Sequence, residues 1–199
     1  GIIGAASSRN VGKLLVQGLH KMEYRGYDSA GIALHQKDSI FNLRTLGKVS
    51  LLEDGMIQER PKSKLGIAHT RWATHGKPSE ENAHPHASSG EVHMVHNGII
   101  ENYLELREQL IADGYTFNSE TDSEVIAHLL HKHLKNSGDL LTAMHDAIKK
   151  LDGAYAIAAI HIEDKNRLIV ARNKSPLLIG VGLEENFAAL LIQEKDISM

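Results

Sequence analysis

Cysteine is absent from the 199 residues, proline occurs 4 times, and aromatic side chains make up 5% of the chain. Without cysteine there is neither a disulfide-framed secreted scaffold nor a thiolate metal site. No apolar run approaches the ~20 residues that a membrane-spanning helix needs. Proline and the 17 glycines follow no period, which excludes a collagen-like chain, and plentiful Leu, Ile and Val argue against disorder. Charge of one sign is also lacking: 22 Lys and Arg face 25 Asp and Glu, for a formal net charge of -3. Interspersed charges give no footprint for nucleic acid or an anionic membrane. The remaining class is a soluble, cytoplasmic globular domain, and a chain this long would bury roughly 70% of its extended-chain surface.

The chain opens Gly1-Ile2-Ile3-Gly4 and closes Asp196-Ile197-Ser198-Met199. It shows neither an initiator methionine nor a basic-apolar leader pattern. The expectation is a piece of a longer protein.

Val11, Leu14, Leu15, Gly18, Leu19 and Met22 fall on one face at helical spacing, so residues 11 to 24 are predicted as an amphipathic helix. Short strands follow at 30–35 and 40–46, then a helical turn and loop over 53–64. Strands at 64–69 and 91–96 flank a polar loop of about twenty residues, long enough to point to function. Helices are predicted over 100–113, 124–134 and 140–151. Thr121-Asp122-Ser123-Glu124 has the form of a capping box at the start of the second. Apolar β-favouring runs at 154–162, 168–171 and 177–181 end the pattern. Strands at both ends with helices grouped between them favour an α+β arrangement of antiparallel sheets over a doubly wound one.

Six of the 13 histidines, His69, His75, His84, His86, His93 and His96, lie in or beside the long polar loop, together with the only Trp, Trp72. Arg71 supplies a planar fork suited to a carboxylate or phosphate. The alternatives are a solvated loop with capping histidines, or imidazole ligands to a metal. No His-Glu-x-x-His spacing supports the metal. His96-Asn97-Gly98 is a strong turn signal, yet a strand-to-helix turn there would also aim amide donors at an anion. Glu23 to Gly31 joins helix to strand, with Gly26 as a helix cap and Arg25 beside the last carbonyls. Gly1 to Gly4 lacks the dinucleotide fingerprint. Glu120, Asp122 and Glu124 suit a helix start on dipole grounds alone, and such an acid could also hold an ammonium group.

Ten blocks occur in order: GIIGA at the start, EYRGYDSAG (23–31), LGKV (46–49), HTRWATHG (69–76), NAHPH (82–86), VHNGIIEN (95–102), GYTFNSETDSEVIAHL (114–129), DGAYA (152–156), ARNKSPLLIG (171–180) and ENFAA (185–189). In these blocks the chain resembles the N-terminal glutaminase domain of the glucosamine-6-phosphate synthase family, within the class-II glutamine amidotransferases. The resemblance implies an N-terminal-nucleophile (Ntn) hydrolase fold, a four-layer sandwich of helices, antiparallel sheet, antiparallel sheet and helices. One glutaminase domain over residues 1–199 is implied, the sugar-isomerase domains lying outside this chain. The implied reaction hydrolyses the side-chain amide of L-glutamine, the ammonia serving to make glucosamine 6-phosphate from fructose 6-phosphate. The family also implies a homo-oligomer at full length, and no cofactor or metal.

By the same resemblance a cysteine immediately before Gly1 is the nucleophile and its free α-amino group the general base. Asn97 and the Gly98 N–H form the oxyanion hole, and Arg71, helped by Thr74 and His75, takes the substrate α-carboxylate. Asp122 takes the α-ammonium, Trp72 lies on a mobile covering loop, and Arg25 and Tyr27 lie near the nucleophile. Two departures stand out. The chain has no cysteine, which leaves a catalytically inactive glutamine-binding domain as the alternative. After Phe187-Ala188-Ala189 the family continues Ser-Asp, whereas Leu190 follows here, so a loop is expected to be missing between 189 and 190.

Overall fold

The structure, a computed structural model, describes residues 1–72, 76–182 and 185–190, with the side chains of Arg25 and of 185–190 left aside. Strand β1 (Ile2–Ser7) leads into helix α1 (Gly12–Met22), then β2 (Ser29–His35), β3 (Ile40–Leu46), α2 (Val49–Glu59) and β4 (Leu65–Arg71). Next come β5 (His86–Ser88), β6 (Val92–Ile100), α3 (Tyr103–Ala112), α4 (Glu124–Ser137) and α5 (Leu140–Ile148). Strands β7 (Gly153–His161), β8 (Ile169–Asn173), β9 (Leu178–Gly182) and β10 (Glu185–Leu190) complete the described chain.

One sheet has six strands in the order β3-β2-β4-β1-β10-β9, and the other has four in the order β5-β6-β7-β8. Every pairing of these strands is antiparallel. Alternation along the strands sets the layers, because successive side chains face opposite sides. On β4, Leu65 and Ile67 face the second sheet, whereas Ala68 packs beneath α1. On β7, Ala156, Ala158 and Ile160 face the first sheet, and Ile157 and Ala159 face the helices. Three apolar layers result: α1 and α2 on the six-stranded sheet, sheet on sheet, and α3 to α5 on the four-stranded sheet. This is the helix–sheet–sheet–helix sandwich expected above.

Several local expectations need correction. Residues 2–7 form β1 although their small side chains carry no strand alternation, and three residues of the long loop, 86–88, form β5. The helical turn placed at 53–64 is α2, which begins earlier, at Val49. Asn97-Gly98 makes no turn: both residues lie inside β6, opposite Ala156 and Tyr155. The capping box does not form either. Helix α4 starts at Glu124, and Thr121 Oγ1 instead meets His86 Nε2 at 3.1 Å. Gly26 follows a short 3-10 turn in extended backbone rather than capping α1. A Cβ there would stand 2.7 Å from the Arg71 carbonyl carbon, so close approach to β4 is what requires glycine. At the junction of residues 189 and 190, β10 pairs with β1 through Ala189↔Ile3 and Leu190↔Ile2, a register that does not test the loop expected there.

Candidate active site

The ends of β1, β4 and β6 bring Gly1, Arg71 and Asn97 to one region. Register places Ile2 opposite His69, so Gly1 lies beside Thr70. The pairing is reciprocal: the amino group of Gly1 donates to the Thr70 carbonyl at 2.6 Å, and Thr70 N–H donates to the Gly1 carbonyl at 2.9 Å. Gly1 is half-buried, not a solvent-facing end. The next residue along β4 is Arg71, opposite Ser29 of β2 and itself buried.

Arg71 ties together what surrounds it. Its Nη2 donates to the Gly76 carbonyl at 3.2 Å, and Nη1 lies 4.0 Å from Asp28 Oδ1. Burial lowers the guanidinium pKa, while Asp28 and Asp122 oppose the shift. It remains charged, since arginine is not deprotonated in proteins. Trp72 and Tyr27 are exposed and meet edge to face, ring centroids 5.9 Å apart. Thr74 and His75 lie outside the described residues, as does the side chain of Arg25.

On the opposite sheet, Asn97 is half-buried near the end of β6 and Gly98 is exposed. At Gly98 φ is +135°, and a Cβ would lie 2.0 Å from the Ala154 carbonyl oxygen. No other residue fits this strand pairing. His69 bridges the sheets, its Nε2 standing 2.8 Å from Asn97 Oδ1. Asp122 is buried, and its Oδ2 accepts the Ile100 N–H at 2.8 Å. The Ser123 hydroxyl reaches Asp122 Oδ1 at 3.3 Å and also meets His96 Nδ1 at 2.8 Å. Gly1, Arg71, Asn97 and Asp122 are therefore linked through Thr70, His69, His96 and Ser123 although they are dispersed in sequence.

Among the described histidines in and beside the long loop, His69, His84, His86, His93 and His96 are packed inside. His84 lies 4.2 Å from His69 and 4.5 Å from His86, ring centroid to centroid. Burial pushes His69 and His84 well below the usual histidine range. The same desolvation lowers His93 and His96 to about 4. These are neutral rings in a polar core layer. Among the described residues, no three His, Asp or Glu side chains gather in a geometry for a metal ion.

Sequence reading missed the second role of the Ser-Glu-Thr-Asp-Ser-Glu stretch. Glu124 accepts N–H groups from Asn118 at 2.9 Å and Ser119 at 2.7 Å, and the Ser119 hydroxyl at 2.7 Å. Asn82 then clamps the loop onto this segment, accepting the Glu120 N–H at 2.8 Å and donating to the Lys77 carbonyl at 2.9 Å. A cavity of about 570 Å³ between β5 and α4, lined in part by Ser88, Tyr115, His128 and His131, includes none of the predicted site residues.

Comparison with known proteins places this geometry. A glutamine--fructose-6-phosphate aminotransferase [isomerizing] of Pseudomonas aeruginosa is 54% identical over 95% of this chain, and one of Legionella pneumophila is 52% identical over 95%. The chain spans about a third of the length of these curated relatives, 31% and 32%. Among solved structures, glutamine phosphoribosylpyrophosphate amidotransferase from B. subtilis superposes with a TM-score of 0.79 at 26% identity, over 94% of this chain and 41% of that one. A glutamine aminotransferase class-II domain protein from Silicibacter pomeroyi shares the fold, with a TM-score of 0.64 at 16% identity over 94% of this chain and 86% of its own. The family model described as a glutamine amidotransferase domain matches residues 69–189, from the histidine that bridges the sheets to the strand beside β1. By that match, and by the sandwich that carries it, the chain belongs to the glutamine amidotransferase domain family.

Proposed function

We propose that this domain hydrolyses the side-chain amide of L-glutamine to glutamate and ammonia. The nucleophile is a cysteine directly preceding Gly1. The observation that carries the reading is the β1–β4 register: with Gly1 beside Thr70, a preceding residue continues the strand opposite Arg71, next to the site. Its thiol has an ordinary pKa near 8.5 and its α-amine one near 7.7–8.0, so the amine is matched to shuttle the proton.

In the reaction the sulfur attacks the amide carbon while the α-amine takes the thiol proton. Asn97 Nδ2 and the Gly98 N–H stabilise the oxyanion that forms. The proton passes to the departing nitrogen, ammonia leaves, and a thioester remains. Water then attacks the thioester, giving up a proton through the same amine, and glutamate and thiol are restored. Arg71, with Thr74 and His75, holds the substrate α-carboxylate, and Asp122 the α-ammonium. Trp72, Tyr27 and Arg25 border the pocket. In the longer protein the ammonia serves a sugar-isomerase domain that converts fructose 6-phosphate to glucosamine 6-phosphate, in a cytoplasmic homo-oligomer. The names of the curated relatives, glutamine--fructose-6-phosphate aminotransferase [isomerizing], support the use of glutamine nitrogen on fructose 6-phosphate.

The test compares the chain beginning at Gly1 with the chain carrying one cysteine before it. Glutamate release and glutamine binding are measured on both. Release by the cysteine form alone is the expected result. Binding without release by either form assigns the alternative, a catalytically inactive glutamine-binding domain.

A further inference from the structure

His69 lies on the face of β4 that carries Leu65 and Ile67, turned toward the second sheet. Its Nε2 stands 3.1 Å from the carbonyl oxygen of His96 and 2.8 Å from Oδ1 of Asn97. A carbonyl oxygen has lone pairs and no hydrogen, so the nitrogen facing it donates. Nε2 therefore carries the hydrogen, and the Asn97 atom turned toward it is the acceptor Oδ1. The NH2 group of Asn97 is directed away from His69.

This choice is not one that packing makes. The two ends of a carboxamide are nearly the same size, so a flipped Asn97 would fill the same volume and only its hydrogen bonds would change. Flipped, it would present lone pairs to any negative oxygen. We propose that His69 is a positioning residue for the amide hydrolysis, its Nε2–H holding Asn97 in the orientation that offers Nδ2 to the oxyanion. The proposal rests on the glutaminase reading and adds to it the residue that fixes the polarity of the oxyanion hole.

The ring is built for that duty. It is 3% exposed, and the ring of His84 lies against it at 4.2 Å, tilted by 38°. Burial keeps it neutral, so it has a single hydrogen to place. Among the described residues Nδ1 has no hydrogen-bond partner that would draw that hydrogen away.

Glutaminase kcat and KM are measured on the chain preceded by a cysteine, for His69→Ala, His69→Gln, Asn97→Ala and the His69→Ala/Asn97→Ala pair. His69→Ala is expected to lower kcat about tenfold or more with KM little changed, the mark of a contact that matters in the transition state. A glutamine amide nitrogen reaches the place of imidazole Nε2, so His69→Gln restores most of the rate. With Asn97 already alanine, His69→Ala has no further effect. An equal loss in both backgrounds, or a loss that His69→Gln does not relieve, overturns the positioning role. An unchanged kcat in Asn97→Ala removes Asn97 from the oxyanion hole and with it the positioning role, whereas no glutamate release by the parent chain overturns the glutaminase reading itself, which separates the two failures. Independently of whether His69→Ala folds, nitrogen NMR of the unaltered chain at pH 7 reads the tautomer directly. The Nε2–H form supports the proposal, and the Nδ1–H form overturns it.

Discussion

Arg71 and Asn97 are both half of a polar contact, but they act at different points of the reaction and their loss has different signatures. The Arg71 guanidinium is buried beside Asp28 and within the field of Asp122, so its alanine variant leaves a substrate carboxylate without its partner. Hydrogen bonds between charged groups contribute about 1.5–3 kcal/mol, so Arg71→Ala should raise the glutamine KM about ten- to a hundredfold. Steady-state kinetics on the cysteine-bearing chain measure it, and an unchanged KM removes Arg71 from the substrate contact. Asn97→Ala should lower kcat about a hundred- to a thousandfold with little change in KM, since oxyanion donors act on charge that develops later. A change confined to KM would make Asn97 a substrate binder. At this scale the sequence was legible in residue type and opaque in partnership. Arg71 announces a carboxylate site by its chemistry, but nothing in the spacing of His69 and Asn97 shows that they touch.

At the scale of elements, what could be read followed the strength of the periodic signal. Helices α1 and α5 carry apolar residues at helical spacing, and β2, β4 and β7 alternate or run apolar, so all five were visible. Strand β1, Ile-Ile-Gly-Ala-Ala-Ser, has too little side chain to alternate, and only its pairing with β4 and β10 makes it a strand. Asn97-Gly98 misled for the opposite reason. The dipeptide favours a tight turn locally, but its ladder with β7 holds it extended, with Gly98 supplying a φ of +135° inside the strand. That conflict predicts a sharp effect. In Gly98→Ala the new methyl group meets the Ala154 carbonyl oxygen at 2.0 Å, and the strands must separate to admit it. The expected loss is at least about 2 kcal/mol of stability, from overpacking together with backbone strain. Urea midpoints measured at constant m-value report it, and a variant as stable as the parent would show that β6 does not pair as described.

For the whole molecule, the histidines buried between and beside the sheets link the fold to pH. Desolvation lowers His86 to about 3 and His93 and His96 to about 4, and pushes His69 and His84 well below their usual range. Asp122 opposes the shift at His96 and Glu124 opposes it at His86, while Arg44 adds to it at His86 and His93. In the unfolded chain each ring returns to a pKa near 6.5. The folded pKa values lie below the unfolded ones, so the unfolded state binds more protons in acid and stability falls with pH. The contribution is complete above about pH 6.5 and is lost as pH drops toward 4. Glu124 acts in the same direction at lower pH. Burial raises its pKa, but the His128 ring 3.6 Å away and hydrogen bonds from the Asn118 and Ser119 N–H groups and the Ser119 hydroxyl outweigh this and bring it to about 2. Each of His86, His93 and His96 represents on the order of 3 kcal/mol or more across its window, and a typical domain has only about 5–15 kcal/mol in total. The chain should therefore unfold cooperatively in mild acid, before any of the three rings reaches its folded pKa. Urea unfolding at half-unit steps from pH 7.5 to 4.5 tests this. The unfolding free energy should be flat above pH 7 and then fall with a slope steeper than the roughly 1.4 kcal/mol per pH unit that one group supplies. A slope no greater than one group's would mean that the histidines are hydrated and titrate in the folded state, and the buried layer joining β4 to β6 would lose its polar core.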